Sequence, residues 1–185
     1  SASWIDDKIA WYENLGGGSF GTQQVITTNA DEALSVYATD LDGDGDADVL
    51  SASRGDDKIA WYENLGGGSF GPQQVITTSA DGAYSVYAAD LDGDGDADVL
   101  SASWFDDEIA WYEKLGGGSF GPLQLITWNA HIATYVQASD PDGAGGMALL
   151  AAPLPYNLIT WSAALGASES GTEGKGCVSR RAPVP

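Results

Sequence analysis

Five aspartates fall within nine residues in the run Asp90-Leu91-Asp92-Gly93-Asp94-Gly95-Asp96-Ala97-Asp98, and the run from Asp40 to Asp48 repeats it residue for residue. Carboxylates stand at loop positions 1, 3, 5 and 9, and glycines at positions 4 and 6 allow the chain to wrap tightly. Calcium takes about six to eight hard oxygen ligands, and such a loop offers four side chains plus the backbone carbonyl of position 7. The spacing therefore predicts two calcium sites, one from Asp40, Asp42, Asp44, Asp46 and Asp48 and one from Asp90, Asp92, Asp94, Asp96 and Asp98. Asp46 and Asp96, at position 7, are expected to give a carbonyl rather than a carboxylate. An EF-hand is excluded, because it needs a bidentate Glu at position 12, where Ser101 stands, and flanking helices. The plainer alternative, a solvated Asp/Gly turn, leaves crowded acids to repel one another without a cation.

A second acid pattern, Asp6-Asp7, Asp56-Asp57 and Asp106-Asp107, raises the question of glycoside hydrolysis by paired carboxylates. Neighbouring strand residues point apart, and an acid and a base need environments that divide their pKa values. Pairs recurring in each copy read instead as solvated turn residues. His131 is the single histidine, Cys177 the single cysteine, and no nucleophile elbow occurs. The expectation is no enzyme.

The elements that must hold these loops follow from a 50-residue period. Residues 1–50 and 51–100 differ only at unit positions 4, 5, 22, 29, 32, 34 and 39. A third unit starts at Ser101 and stays close through Thr127, and an eroded fourth keeps Ile159, Trp161, Leu165 and Gly166 in register. Fixed periods of this length mark stacked repeats, each burying its apolar face on the next. Within a unit, Ser85 to Asp90, Val99 to Ser103, Glu108 to Lys114 and Leu123 to Thr127 read as four strands joined by short turns. We expect an all-β fold of tandem four-stranded antiparallel propeller blades forming an incomplete ring. The expected divisions are a partial blade at 1–28, blades at about 34–78 and 84–127, an eroded blade at about 134–166, and a flexible tail at 167–185. In the third strand of a unit a Trp and a Tyr project from opposite faces, as Trp61 and Tyr62 do, and Trp11, Trp61, Trp111 and Trp161 are expected in the core between blades.

Gly68-Ser69-Phe70-Gly71, the small-residue step Asp81-Gly82-Ala83-Tyr84 and the acid loop at Asp90 to Asp98 together resemble the FG-GAP, or VCBS-type, repeats that form the blades of integrin α-subunit propellers. The resemblance covers residues 1 to about 166 and implies calcium in the loops starting at Asp40 and Asp90, between the first two strands of a blade. The third copy departs from the pattern. Asp140 and Asp142 remain, but Pro141, Ala144 and Ala148 intervene, so no tight metal is expected there.

With 27 acidic residues against 7 Lys and Arg, the net charge is −20. Nucleic acid and anionic membrane surfaces are disfavoured partners, and no apolar run is long enough to insert in a bilayer. The expected function is a calcium-binding adhesion or protein-interaction scaffold, extracellular or at the cell surface and part of a larger chain or assembly. A glycan-binding lectin is the main alternative, and an accessory domain of a secreted hydrolase a lesser one. Trp4-Ile5 and Trp104-Phe105, in the turn between second and third strands, are candidates for a partner-docking patch, which Arg54-Gly55 interrupts. Folding back onto neighbouring blades is the competing fate of these aromatics.

Overall fold

The structure, a computed structural model, describes residues 1–128, 130–140, 147–153 and 160–162. Short runs of branched and small residues, such as Asp98 to Ser103, bounded by Asp/Gly loops, favour pleated backbone because they pack well on a sheet face. The strands are β1 (Ala2–Ser3), β2 (Lys8–Trp11), β3 (Asn14–Gly16), β4 (Ser19–Phe20), β5 (Gln24–Thr27), β6 (Ala33–Thr39), β7 (Asp48–Ser53) and β8 (Lys58–Tyr62). They continue as β9 (Gln74–Thr77), β10 (Ala83–Ala89), β11 (Asp98–Ser103), β12 (Ile109–Tyr112), β13 (Gln124–Thr127), β14 (Ala133–Ser139), β15 (Ala148–Pro153) and β16 (Thr160–Ser162). No helix among the described residues is long and apolar enough to cross a membrane.

Two complete antiparallel blades, β6-β7-β8-β9 and β10-β11-β12-β13, are flanked by three-stranded sheets β1-β2-β5 and β14-β15-β16. The fold is thus all-β, built of propeller blades, and the described sheets form an open arc. The first strand of the second complete blade starts at Ala83, two residues before the expected Ser85, because a register shift between Ala83 and Ser85 lets pairing with β11 resume beyond the irregularity. The expected tail and the residues Ile159, Leu165 and Gly166 lie outside the described residues.

The two faces of each third strand go to different neighbours. Trp61 packs into the same cluster as Tyr112 of the following blade, while Tyr62 packs against Ile9 of the preceding one and against Ala30 and Ala33 at the entry to its own. Trp61, Tyr62, Trp111 and Tyr112 are all buried. Trp11 is half-buried, with its six-membered ring against Gly68. A Cβ at Gly68 would lie 2.7 Å from Trp11, and Gly118 stands in the same relation to Trp61, at 2.8 Å. Both glycines also have φ near the left-handed region, +81° and +76°, so the third glycine of each Gly-Gly-Gly turn is fixed by packing as well as by conformation. Trp161 is in β16, and its environment lies outside the described residues.

The paired acids are not simply solvated turns. Asp7, Asp57 and Asp107 each adopt positive φ, between 54° and 58°. Their Oδ1 atoms accept the backbone amides of Glu32, Gly82 and Ile132, at 3.0, 2.8 and 2.6 Å. Their carbonyls accept the amides of Ala30, Ala80 and Ala130. Each second aspartate therefore clamps one blade to the segment that enters the next, 25 residues on. In the second unit the first acid stays local: Asp56 accepts from Ser53 Oγ and pairs with Lys58.

Tyr62 and Tyr112 differ in one respect. The Tyr62 hydroxyl accepts a hydrogen bond from Gln73 Nε2 at 2.8 Å, as Tyr12 does from Gln23 at 2.9 Å. In the third unit Leu123 takes the glutamine's place, and the buried Tyr112 hydroxyl, facing Ser101 and Thr77, makes no well-aligned hydrogen bond, nor does Ser101 Oγ. Leaving a buried polar group unmet costs about 1–3 kcal/mol, whereas an exposed ion pair contributes at most about 1 kcal/mol. Leu123→Gln should accordingly raise stability by about 1 kcal/mol in equilibrium denaturation, and Gln73→Leu should lower it; a destabilised Leu123→Gln would disprove this account of Tyr112. Asp57→Ala should cost about 1–3 kcal/mol and Asp56→Ala at most about 1 kcal/mol. Equal losses for the two aspartate variants would refute the clamp.

Candidate metal loops and the opposite blade end

Each acid loop leaves the end of an inner strand, β6 or β10, and returns as the next strand, β7 or β11. The wrap is organised around its first aspartate. Asp40 accepts the amides of Gly43 and Gly45 on its two oxygens, at 2.7 and 2.9 Å, and Asp90 accepts those of Gly93 and Gly95 at 2.7 and 3.0 Å. The four glycines have φ between +87° and +97°, where a side chain would be strained. Asp42 accepts the Asp44 amide, Asp44 accepts the Asp46 amide, and the second loop repeats both bonds.

The last aspartate ties the loop to the sheet. Asp48 is fully buried and accepts the amides of Leu41 and Asn64, both at 2.8 Å. Asp98, equally buried, accepts those of Leu91 at 3.1 Å and Lys114 at 2.8 Å. These two residues thus join the loop, the second strand and the exit of the third. Burial pushes the Asp98 carboxyl up to about 6, the charges of Asp92 and Asp94 add to the rise, and the two amides oppose it. Asp48 is raised for the same reasons.

Of the ten predicted ligands, the structure brings together Asp40, Asp42 and Asp48 in the first loop, with oxygens within 4.8 Å of one another. In the second loop it brings together Asp90, Asp92 and Asp94 over the same span. Asp46 and Asp96 are exposed and lie outside these groups, as do Asp44 in the first loop and Asp98 in the second. The donor sets are all hard carboxylate oxygen, which suits calcium and disfavours soft metals. A bound cation would offset both the mutual repulsion of the acids and the cost of burying Asp48 and Asp98 in charged form. Beside the first loop a cleft of about 390 Å³ separates two blades, with Asp42 and Asp44 on one wall and Gly117 and Gly118 on the other. In the third copy, Asp140 is described and Ala148 is buried, whereas 141–146 lie outside the described residues.

The opposite end of the blades holds a feature that single positions did not reveal. Four of the seven differences between the first two units, positions 4, 5, 32 and 34, come together there. In the second blade, Arg54 pairs with Glu32 at 3.3 Å, and a Cβ at Gly55 would meet the Asp31 carboxylate at 2.7 Å. In the third blade the sizes are exchanged: Phe105 lies against Gly82, where a Cβ would sit 2.7 Å from its ring, and Trp104 stacks on Tyr84 at 5.2 Å. Arg54 in turn lies 5.2 Å over the Phe105 ring, linking the two blades. Thus Trp104 folds onto its own blade and Phe105 leans towards its neighbour, although Phe105 remains 56% exposed. Trp4 and Ile5 are 53% and 93% exposed. The only sequence signal for this cluster was the co-occurrence of its differences between copies.

A lectin from Agrocybe aegerita, described as recognising non-reducing terminal N-acetylglucosamine, superposes with a TM-score of 0.60 at 18% identity. The match covers 87% of this chain and 45% of the lectin, so the chain spans less than half of that protein's length. The Photorhabdus luminescens Tc holotoxin pore aligns at 19% identity with a TM-score of 0.47, covering 88% of this chain and 8% of that one. No curated protein sequence matches the chain. At these identities the structural likeness concerns the fold alone. The model of the FG-GAP-like repeat matches residues 2–51 and 40–101, overlapping stretches that take in both acid loops and more than half of the chain, which therefore belongs to the FG-GAP-like repeat family.

Proposed function

We infer that the chain is a calcium-stabilised recognition scaffold that works outside the cytosol, in adhesion or protein interaction, without catalysing a reaction. One observation carries this reading: the acid loops are identical and gather at one end of the blades, while the main differences between copies gather at the other. An inner strand of seven residues separates the two ends by roughly 20 Å. A constant, cation-ready end suits a structural role, and an end that varies in charge and aromatic content suits recognition. Glu32 with Arg54, and Tyr84 with Trp104 and Phe105, give adjacent blades different chemistry on one common frame.

Calcium supports the frame at a defined point. The loop carboxylates adjoin Asp48 and Asp98, which hold the amides of strand exits, so filling the loops would fix the connection between the first two strands of a blade. Loops of this carboxylate content fill at millimolar extracellular calcium, which supports placement at the cell surface or in the secreted space. The use of Asp7, Asp57 and Asp107 as backbone clamps supports the non-catalytic reading, since each is committed to an amide. The partners are protein or glycan, and the net charge of −20 speaks against nucleic acid.

Thermal and chemical denaturation with calcium and with chelator tests the proposal. Calcium at about 100 times its dissociation constant should stabilise the fold by about 2.7 kcal/mol for each filled loop. Asp94→Ala should remove the contribution of the second loop only, and Asp42→Ala combined with Asp94→Ala should abolish the calcium response. Equal stability of the parent chain in calcium and in chelator would end the calcium reading.

A further inference from the structure

The inner strands β6, β10 and β14 run side by side and enclose an open groove of about 470 Å³, within the range of roughly 300–1,000 Å³ typical of small-ligand sites. We propose that this groove binds a neutral saccharide, an assignment that deepens the recognition reading and rests on it. Four tyrosines line it: Tyr37, Tyr84, Tyr87 and Tyr135. Tyr37 and Tyr87 come from adjacent blades with ring centroids 4.6 Å apart and planes tilted by 47°, so they offer a stepped aromatic wall instead of a closed sandwich. Ser35 accepts the Val86 amide at 3.3 Å, which ties β6 to β10 and sets the floor.

The chemistry of the lining selects the ligand class. No Asp, Glu, Lys or Arg lines the groove, although the chain as a whole carries 27 acids. An anion would meet the negative field of the whole protein and no compensating cation, and a cation would find no carboxylate. Within the groove the Tyr135 hydroxyl donates to Gln137 Oε1, and a wholly apolar ligand would cover the Gln137 amide nitrogen and the tyrosine oxygens without giving them a partner. A sugar ring satisfies both parts of the lining: its C–H face stacks on tyrosine and its hydroxyls bond to phenol, serine and amide groups. The site is also built once, not once per blade. Unit position 37 is Tyr37, Tyr87 and then Gln137, and position 35 is serine in the first two copies and Tyr135 in the third. Tyr84, which stacks on Trp104, joins the groove to the variable end of the blades.

Saturation-transfer NMR on the full chain in calcium-containing buffer tests this, with lactose, maltotriose, cellotriose and N,N′,N″-triacetylchitotriose as neutral probes and 3′-sialyllactose as the charged control. At least one neutral probe should bind; Tyr135→Ala, at an exposed position, should weaken it at least fivefold without moving the melting temperature, and Tyr84→Ala should weaken it as much while also lowering the melting temperature through the lost Trp104 stack. Tyr84→Phe, which keeps the ring face, should retain most of the binding, and Val25→Ala on the outer strand β5 should leave it unchanged. Failure of every neutral probe on the folded chain, binding of the sialylated probe alone, or undiminished binding in folded groove variants would overturn the assignment. Loss of sugar binding with calcium stabilisation intact would remove the groove proposal and leave the scaffold; the reverse result would remove the calcium reading and leave the groove.

Discussion

Everything in this fold depends on the requirement that a sheet apolar on both faces be covered on both. Trp61 and Tyr62 are successive residues of one strand and must point to opposite sides. A buried aromatic ring removes about 150–250 Å² from water, which at ~25 cal/mol per Å² amounts to roughly 4–6 kcal/mol for each ring. Neither face can be left open cheaply, so each blade needs a neighbour before and behind. Where the arc lacks a preceding blade among the described residues, the consequence is visible: Tyr12 is 43% exposed and Phe20 62%, although their counterpart Tyr62 is fully buried and Phe70 packs beside it.

Covering both faces also sets the hydrogen-bonding problem. Chain passing from one blade to the next leaves amides that no sheet ladder can satisfy. Asp7, Asp57 and Asp107 solve this by adopting left-handed backbone and presenting a carboxylate and a carbonyl to the incoming segment. Asp48 and Asp98 perform the matching task at the other end, each joining a loop amide to a third-strand exit. Acidic residues therefore serve two purposes, crowding together in the loops and holding backbone amides, and Asp40 and Asp48 do both. The two complete blades repeat the loop acids and the Asp57 and Asp107 clamps.

The variable end shows how a near-perfect duplication accommodates difference. A large residue at position 32 goes with a glycine at position 5 of the following unit, Glu32 with Gly55, and the reverse holds one blade later, Gly82 with Phe105. Gly82 makes room for the Phe105 ring, whereas the space beside Gly55 is taken by the Asp31 carboxylate and Glu32 reaches Arg54. This exchange leaves the blade geometry constant and moves aromatic and charged groups around the rim of the groove.

Much of this was legible before any fold was known. The 50-residue period, the alternation around Trp61 and Tyr62 and the spacing of the acid loops follow from local chemistry, because strand period, turn preference and carboxylate spacing act over a few residues. They determined the all-β class, the blades and the candidate loops. Tertiary structure alone decided which carboxylates converge, Asp40, Asp42 and Asp48 in one loop and Asp90, Asp92 and Asp94 in the other. It alone turned Asp57 from a solvated turn residue into a clamp on Gly82, left the Tyr112 hydroxyl without a well-aligned hydrogen bond, and gathered Tyr37, Tyr87 and Tyr135 from three separate units into one groove. Those outcomes depend on groups 11 to about 100 residues apart in the chain, and only the packing of blade on blade brings such groups within reach of one another.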